Sequence, residues 1–318
     1  MSRLSGLHIL LTYRCLLECD HCFVWGSPKQ VGVFTLGNLY RALDQAQQVK
    51  SIRSIYFEGG EPFLFYPILV EGVRSAAARG FSVGIVTNGY WGTTVEDALV
   101  WLEPLADALS DVSVSTDLLH SDELISPQSR NILAACEQLG IPADTITCDL
   151  PAAIDGRAQE TPRGLPVEGG EAPRPSMEDL AVGRGQVMFR GRAAARLAAD
   201  APSRSWSSFD ECPHEDLEDP ARVHLDPFGN LHLCQGLLMG NLFDRPLAQI
   251  VESYEPADHP IAGPLAAGRP DELVRVYDLP HAAAYADACH LGYAARQQLR
   301  PRFRQILGPY QMYGAGLT

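Results

Sequence analysis

From residue 8 to residue 150 the sequence alternates between short apolar runs of strand character and longer amphipathic runs of helical period. The runs "HILLTY" (8–13), "SIYFEG" (54–59), "SVGIVTN" (82–88), "DVSVSTD" (111–117) and "DTITCDL" (144–150) read as strands. Between them, stretches near 35–49, 66–80, 94–106 and 127–139 carry apolar residues at helical spacing, and the first opens on Thr35 as an N-cap. Strands separated by single helices pair in parallel, because each crossover helix returns the chain to the same end of the sheet. The expected fold is therefore α/β, as an open sheet or a barrel.

After Leu150 this pattern stops. Residues 155–185 are rich in Gly, Pro, Glu and Arg and read as a long loop or mobile lid. "QVMF" (186–189) is the candidate for a sixth strand, with a short helix through "RAAARLAA" behind it. The punctuation then changes. "RVHLDPFGNLHLC" (222–234) looks like a hairpin turning at Phe228-Gly229-Asn230, and "PLAQIVESY" like a short helix. Two domains follow from this, residues 1–203 and a smaller α+β domain over 204–318.

The chain has 318 residues, 46% hydrophobic and 20% charged, enough to bury a sizeable core. Its net charge of -14 repels nucleic acid and anionic membranes, so neither is expected as a partner. The start, "MSRLSGLHILLTYRC", has only a short apolar core and no small-residue cleavage site, so it reads as a first strand rather than a signal peptide. No run approaches the ~20 apolar residues of a membrane span. A cytoplasmic, reducing setting fits, and there clustered cysteines hold metal or do redox chemistry more often than they form disulfides.

Three of the eight cysteines fall in "TYRCLLECDHCF" (12–23): Cys15, Cys19 and Cys22. Structural zinc needs four ligands, so His21 or a distant residue would have to complete such a site. Three thiolates on one loop can instead each bind one iron of a [4Fe–4S] cluster and leave the fourth iron open. The C-x3-C-x2-C spacing resembles the signature of the radical SAM superfamily. "YFEGGEP" then matches the family's GGE motif with Gly59, Gly60 and Glu61. The third strand ends on Thr87 and Asn88 of "VTNG", and the fourth on Ser115 and Asp117 of "SVSTD", close to His120. Two glycines let the backbone approach a ligand, and Glu61 can take an ammonium group. Each motif alone reads as a turn or a cap; their strand-by-strand order is what zinc or chance does not explain.

The resemblance implies a partial (β/α)6 barrel, open on one side. It implies S-adenosylmethionine (SAM) bound to the open iron and across Gly59, Gly60, Glu61, Thr87, Asn88, Ser115 and Asp117. Reductive cleavage of SAM would give a 5′-deoxyadenosyl radical that abstracts hydrogen from substrate, with an electron donor such as flavodoxin or ferredoxin. The enzyme would be of oxidoreductase or transferase type, acting in peptide or natural-product maturation. The alternatives are a small-molecule radical dehydrogenase or epimerase and, from another class, a non-catalytic metal-binding scaffold. The cysteine motif begins at residue 15, leaving no room before it for a peptide-recognition module, which weakens the peptide case.

Beyond the barrel lie Cys212, Cys234 and Cys289. Cys212 followed by Gly229-x4-Cys234 is similar to the start of the SPASM and twitch extensions, which carry auxiliary iron–sulfur clusters. Position 292 is Gly, so "CHLG" lacks a thiol that such sites usually have. Three readings stay open: a three-thiolate cluster with an open iron, a cluster completed by His214, His232, Asp287 or His290, or buried free cysteines. Cys136 reads as core. Cys148 is a candidate hydrogen donor, with core packing as its alternative. Arg190 and Arg192, in the basic "MFRGRAAAR", either hold a carboxylate or stay solvated.

Overall fold

A computed structural model describes residues 4–149, 182–266 and 270–314. The first part runs β1 (Gly6–Thr12), α1 (Leu36–Gln48), β2 (Ser54–Gly59), α2 (Tyr66–Ala78), β3 (Ser82–Thr87), α3 (Val95–Leu102), β4 (Asp111–Ser115), α4 (Pro127–Leu139), β5 (Ala143–Asp149) and β6 (Val182–Gln186). Neighbouring strands pair in parallel and in sequence order from β1 to β6, the topology of a partial (β/α)6 barrel. Side chains cap three helices: Thr35 accepts from Asn38 N, Thr94 from Asp97 N and Ser126 from Ser129 N. The helix expected over 94–106 is shorter as an α-helix. Pro104 cannot donate to the ladder, and Glu103–Ala108 tightens to a 3-10 helix.

The sixth strand begins earlier than the "QVMF" reading placed it. Past Gln186 the chain leaves the sheet: Phe189 N bonds Asp287 Oδ2 at 3.1 Å, and Val187 and Phe189 pack with Leu119, Ala193 and Leu197 instead. Residues 150–181, which hold most of the expected loop, lie outside the described residues.

The remainder runs α5 (Arg192–Arg196), β7 (Arg204–Ser205), β8 (Arg222–Leu225), β9 (Asn230–Cys234), β10 (Leu237–Asn241), α6 (Leu247–Glu252), α7 (Ala262–Ala266), α8 (Pro270–Tyr277), β11 (Ala284–Tyr285) and α9 (Ala288–Leu299). The expected hairpin is present as β8–β9, and Gly229 at φ +84 makes its turn. β8 also pairs in parallel with β1, His8 opposite His224, so one sheet in the order β10-β9-β8-β1-β2-β3-β4-β5-β6 continues across the boundary expected at 203–204. The core is shared as well: Leu10, Tyr13 and Val24 pack in one cluster with Phe209, Leu233 and Leu291. No described helix is long and apolar enough to cross a membrane.

Candidate active site

The two-residue period of the strands sorts each one into a wall and a lining. Leu7, Ile9 and Leu11 of β1, Ile55 and Phe57 of β2, Val83 and Ile85 of β3, Val112 and Val114 of β4, and Val223 and Leu225 of β8 form one core with the helices. Their alternates face inward: His8, Tyr56, Glu58, Val86, Ser113, Ser115 and His224 line a cavity of about 550 Å³. That volume suits a cofactor-sized ligand. Cys15, Cys19, Cys22, Gly59, Gly60, Thr87, Asn88, Asp117 and Cys148 stand on the same wall.

The cysteine loop follows β1 directly. Cys15 Sγ accepts from Leu17 N at 3.3 Å and from Asn88 Nδ2 at 3.4 Å, and Cys22 Sγ accepts from Gly26 N at 3.2 Å. Buried Arg192 clamps the loop from beneath, donating to Cys19 O at 2.8 Å and Gly26 O at 2.7 Å, while its own N bonds Cys22 O. Arg192 is therefore neither solvated nor a carboxylate ligand. Burial pushes the Cys15 thiol well up, and the nearby Glu61, Cys19 and Cys22 push the same way. Three thiols that repel one another as anions, with N–H groups already aimed at two sulfurs, are a donor set suited to a metal cluster's positive charge. The backbone beside them is equally specific: a Cβ on Gly60 would lie 2.1 Å from Arg14 O, and one on Gly59 (φ +141) 2.4 Å from Thr12 O. These residues fit the [4Fe–4S] group that the motif implies.

Glu61 sits differently from its sequence reading. It does not line the cavity; fully buried, its Oε1 accepts from Phe63 N at 3.1 Å and Thr87 Oγ1 at 2.8 Å, and its Oε2 from Asn88 N at 2.8 Å. Burial raises its pKa to about 7 against the lowering by these donors. Glu61 thus fastens the end of β3 to the end of β2 and aims Asn88 at Cys15. Asp117 lines the cavity but is 1% exposed and also engaged. Its Oδ1 accepts from Leu119 N at 2.8 Å and meets His120 Nδ1 at 2.9 Å, and its Oδ2 accepts from Cys148 N at 3.0 Å. Burial opposes its ionisation, but His120 and His21 hold the carboxyl below its usual range. Cys136 is fully buried in the core, as expected.

Cys234 ends β9, Cys289 sits in the first turn of α9, and Cys212 packs against the same cluster. Burial pushes the Cys212 thiol up to about 11, with the Cys234 charge adding to it; Cys289 rises through burial, with Cys234 and Cys212 contributing. Cys234 goes the other way: burial opposes ionisation, but the Arg296 and Arg190 guanidiniums outweigh it. Arg190 Nη1 reaches Cys234 Sγ at 3.3 Å and Glu215 Oε1 at 3.2 Å, so this arginine too is buried rather than solvated. Of the four candidate completing ligands, His214 and Asp287 lie with Cys289 in a group whose ligand atoms are all within 4.8 Å. Asp287 is already the N-cap of α9, bonding His290 N, and holds Phe189 N. His232 is turned to Asp226 at 3.2 Å, and His290 accepts from Ala286 N.

The sequence reading passed over His8, Tyr56, Glu58 and His224. Their signal was available: polar side chains at the inward parity of otherwise apolar strands.

Residues 9–147 match the family model described as the radical SAM superfamily. A "Tungsten-containing aldehyde ferredoxin oxidoreductase cofactor-modifying protein" of Pyrococcus furiosus is 30% identical over 142 residues, 44% of this chain and 36% of that protein. A "Putative peptide biosynthesis protein YydG" of Bacillus subtilis is 26% identical over 126 residues, 39% of this chain and 40% of that protein. The chain thus spans well under half the length of these curated relatives. Among solved structures, native anSMEcpe with bound AdoMet superposes with a TM-score of 0.52 at 11% identity, covering 95% of this chain and 98% of that one. That likeness is one of fold.

Proposed function

We propose that the chain, whose residues 9–147 match the radical SAM superfamily model, is a radical SAM enzyme holding a [4Fe–4S] cluster on Cys15, Cys19 and Cys22 and SAM in the cavity beside it. When bound and reduced by an external electron donor, that pair would supply one-electron cleavage of SAM and, from it, hydrogen-atom abstraction from substrate. The chain's own residues do the positioning. Gly59 and Gly60 let the end of β2 lie against the backbone of Thr12 and Arg14, where the cysteine loop begins. Asn88 and Ser115 offer polar groups at consecutive strand ends, where parallel barrels keep their sites, while the Thr87 hydroxyl is spent on Glu61, Gly89 N and Trp91 Nε1. Glu61 and Asp117 hold those strand ends and His120 in place. Val86 and Ile146 add an apolar stretch to the cavity lining.

One observation carries this reading: three thiols of one loop and the polar ends of successive parallel strands share the wall of a single cavity. The relatives' names, one a cofactor-modifying protein and one of peptide biosynthesis, favour a peptide or natural product as substrate. An electron donor such as ferredoxin or flavodoxin and a reducing, cytoplasmic setting go with it; all eight cysteines are free. Cys212, Cys234 and Cys289 would hold an auxiliary cluster whose negative charge Arg190 and Arg296 balance.

A second reading, a radical epimerase or dehydrogenase of a small molecule, is favoured by Cys148. It lines the cavity, and burial, with Asp117 and Asp149 nearby, raises its pKa to about 12. At neutral pH it is a thiol, the form that can donate a hydrogen atom.

The test is anaerobic. Reconstituted protein given SAM and a reductant should release 5′-deoxyadenosine, and the Cys15→Ala/Cys19→Ala/Cys22→Ala protein should release none. Equal release from both proteins would remove the proposal.

A further inference from the structure

We infer that His8, Glu58 and His224 form a binding site for a divalent transition-metal ion, separate from both cysteine groups. The three residues stand on adjacent strands, His224 on β8, His8 on β1 and Glu58 on β2, and all line the cavity. Their ligand atoms lie within 4.8 Å of one another. Glu58 Oε1 is 2.9 Å from His224 Nε2 and 3.4 Å from His8 Nδ1. Ligands about 2.1 Å from a shared ion stand ~3.0 Å apart in octahedral geometry and ~3.4 Å apart in tetrahedral geometry, so both separations suit one ion.

A plain imidazole–carboxylate hydrogen bond is the competing explanation, and the directions speak against it. Glu58 Oε1 is buried and receives no hydrogen bond of proper geometry, although two ring nitrogens approach it. With the ring nitrogens off the line of a good hydrogen bond, neutral imidazoles can turn their lone pairs, with that of Glu58, on one shared cation. The rings are also fixed in advance: His8 stacks on Tyr56 at 4.9 Å between centroids and meets His224 edge-on at 5.2 Å, while Phe23 packs on His224 at 5.8 Å. Ligands held on strands rather than loops keep their spacing.

Two imidazoles and one carboxylate suit Zn²⁺ or Fe²⁺. Three protein ligands leave at least one coordination position, and it opens on the cavity. A substrate carboxylate, alkoxide or amide oxygen would bind there, so the ion would anchor the substrate in the cavity that the cysteine loop also lines.

The site does not depend on the radical reading, and its test separates the two. The full chain is reconstituted anaerobically with iron and sulfide, dialysed against buffered micromolar Zn²⁺, and its iron and zinc are counted by mass spectrometry. The wild type should retain about one more zinc per chain than Glu58→Gln/His224→Gln. Its zinc affinity should exceed that of Glu58→Gln alone at least tenfold, with equal iron in all three proteins. Equal zinc in wild type and variants overturns the site, whatever the iron count. Should the variants fail to fold, wild-type crystals soaked in Zn²⁺ decide. An anomalous peak bonded to all three side chains supports the site, and a map without one overturns it.

Discussion

Glu61 shows how far a residue's identity carries and where it stops. Its motif was plain in the sequence, but its side chain spends both oxygens on the protein: Phe63 N, Thr87 Oγ1 and Asn88 N are all donors to it. Motif matching identifies which residues gather at a site, not which way a carboxylate faces, because that depends on a hydroxyl and a backbone N–H 26 and 27 positions away. A Glu61→Gln change swaps one acceptor for an NH₂ facing donors, at a cost of ~1.5–3 kcal/mol. The expected result is ~10–100-fold weaker SAM binding by calorimetry with the fold retained. Unchanged affinity would mean that the Asn88 platform plays no part in binding. His8, Glu58 and His224 were legible only in principle, since nothing in a single strand says which three strands will be neighbours.

At the scale of elements, the parallel strands and their helices were readable to within a residue or two, apart from the end of α3, because period, caps and glycines agree along residues 6–149. The later hairpin was readable too, but not what secures it. Asp226, fully buried, accepts from Tyr13 Oη, Phe228 N, Asn230 N and Asn230 Nδ2, each at 2.9 Å, and meets His232 Nε2 at 3.2 Å. One carboxylate thus closes the β8–β9 turn and ties it to the residue that follows β1. Asp226→Ala leaves Tyr13 and His232 buried without that partner. We expect a loss of ~3–5 kcal/mol in urea unfolding. A loss under ~1 kcal/mol would show that water replaces the carboxylate.

For the molecule as a whole, the division at 203–204 followed from a change in sequence punctuation, which is a local signal. The pairing of β8 with β1 is a contact between residues more than two hundred positions apart, and no local pattern records it. A chain stopped after Ser203 loses that edge and uncovers Leu10, Tyr13 and Val24. It should be insoluble or elute as aggregate in size-exclusion chromatography, whereas a soluble, cooperatively unfolding fragment would establish two independent domains. The central claim concerns one wall of one cavity, on which a three-thiol loop meets the ends of parallel strands. Its most direct measurement is electron paramagnetic resonance of the reduced, reconstituted Cys212→Ala/Cys234→Ala/Cys289→Ala protein, with and without SAM. The account predicts a single [4Fe–4S] signal that shifts when SAM is added. A signal indifferent to SAM, or a colourless protein holding zinc at Cys15, Cys19 and Cys22, would contradict it.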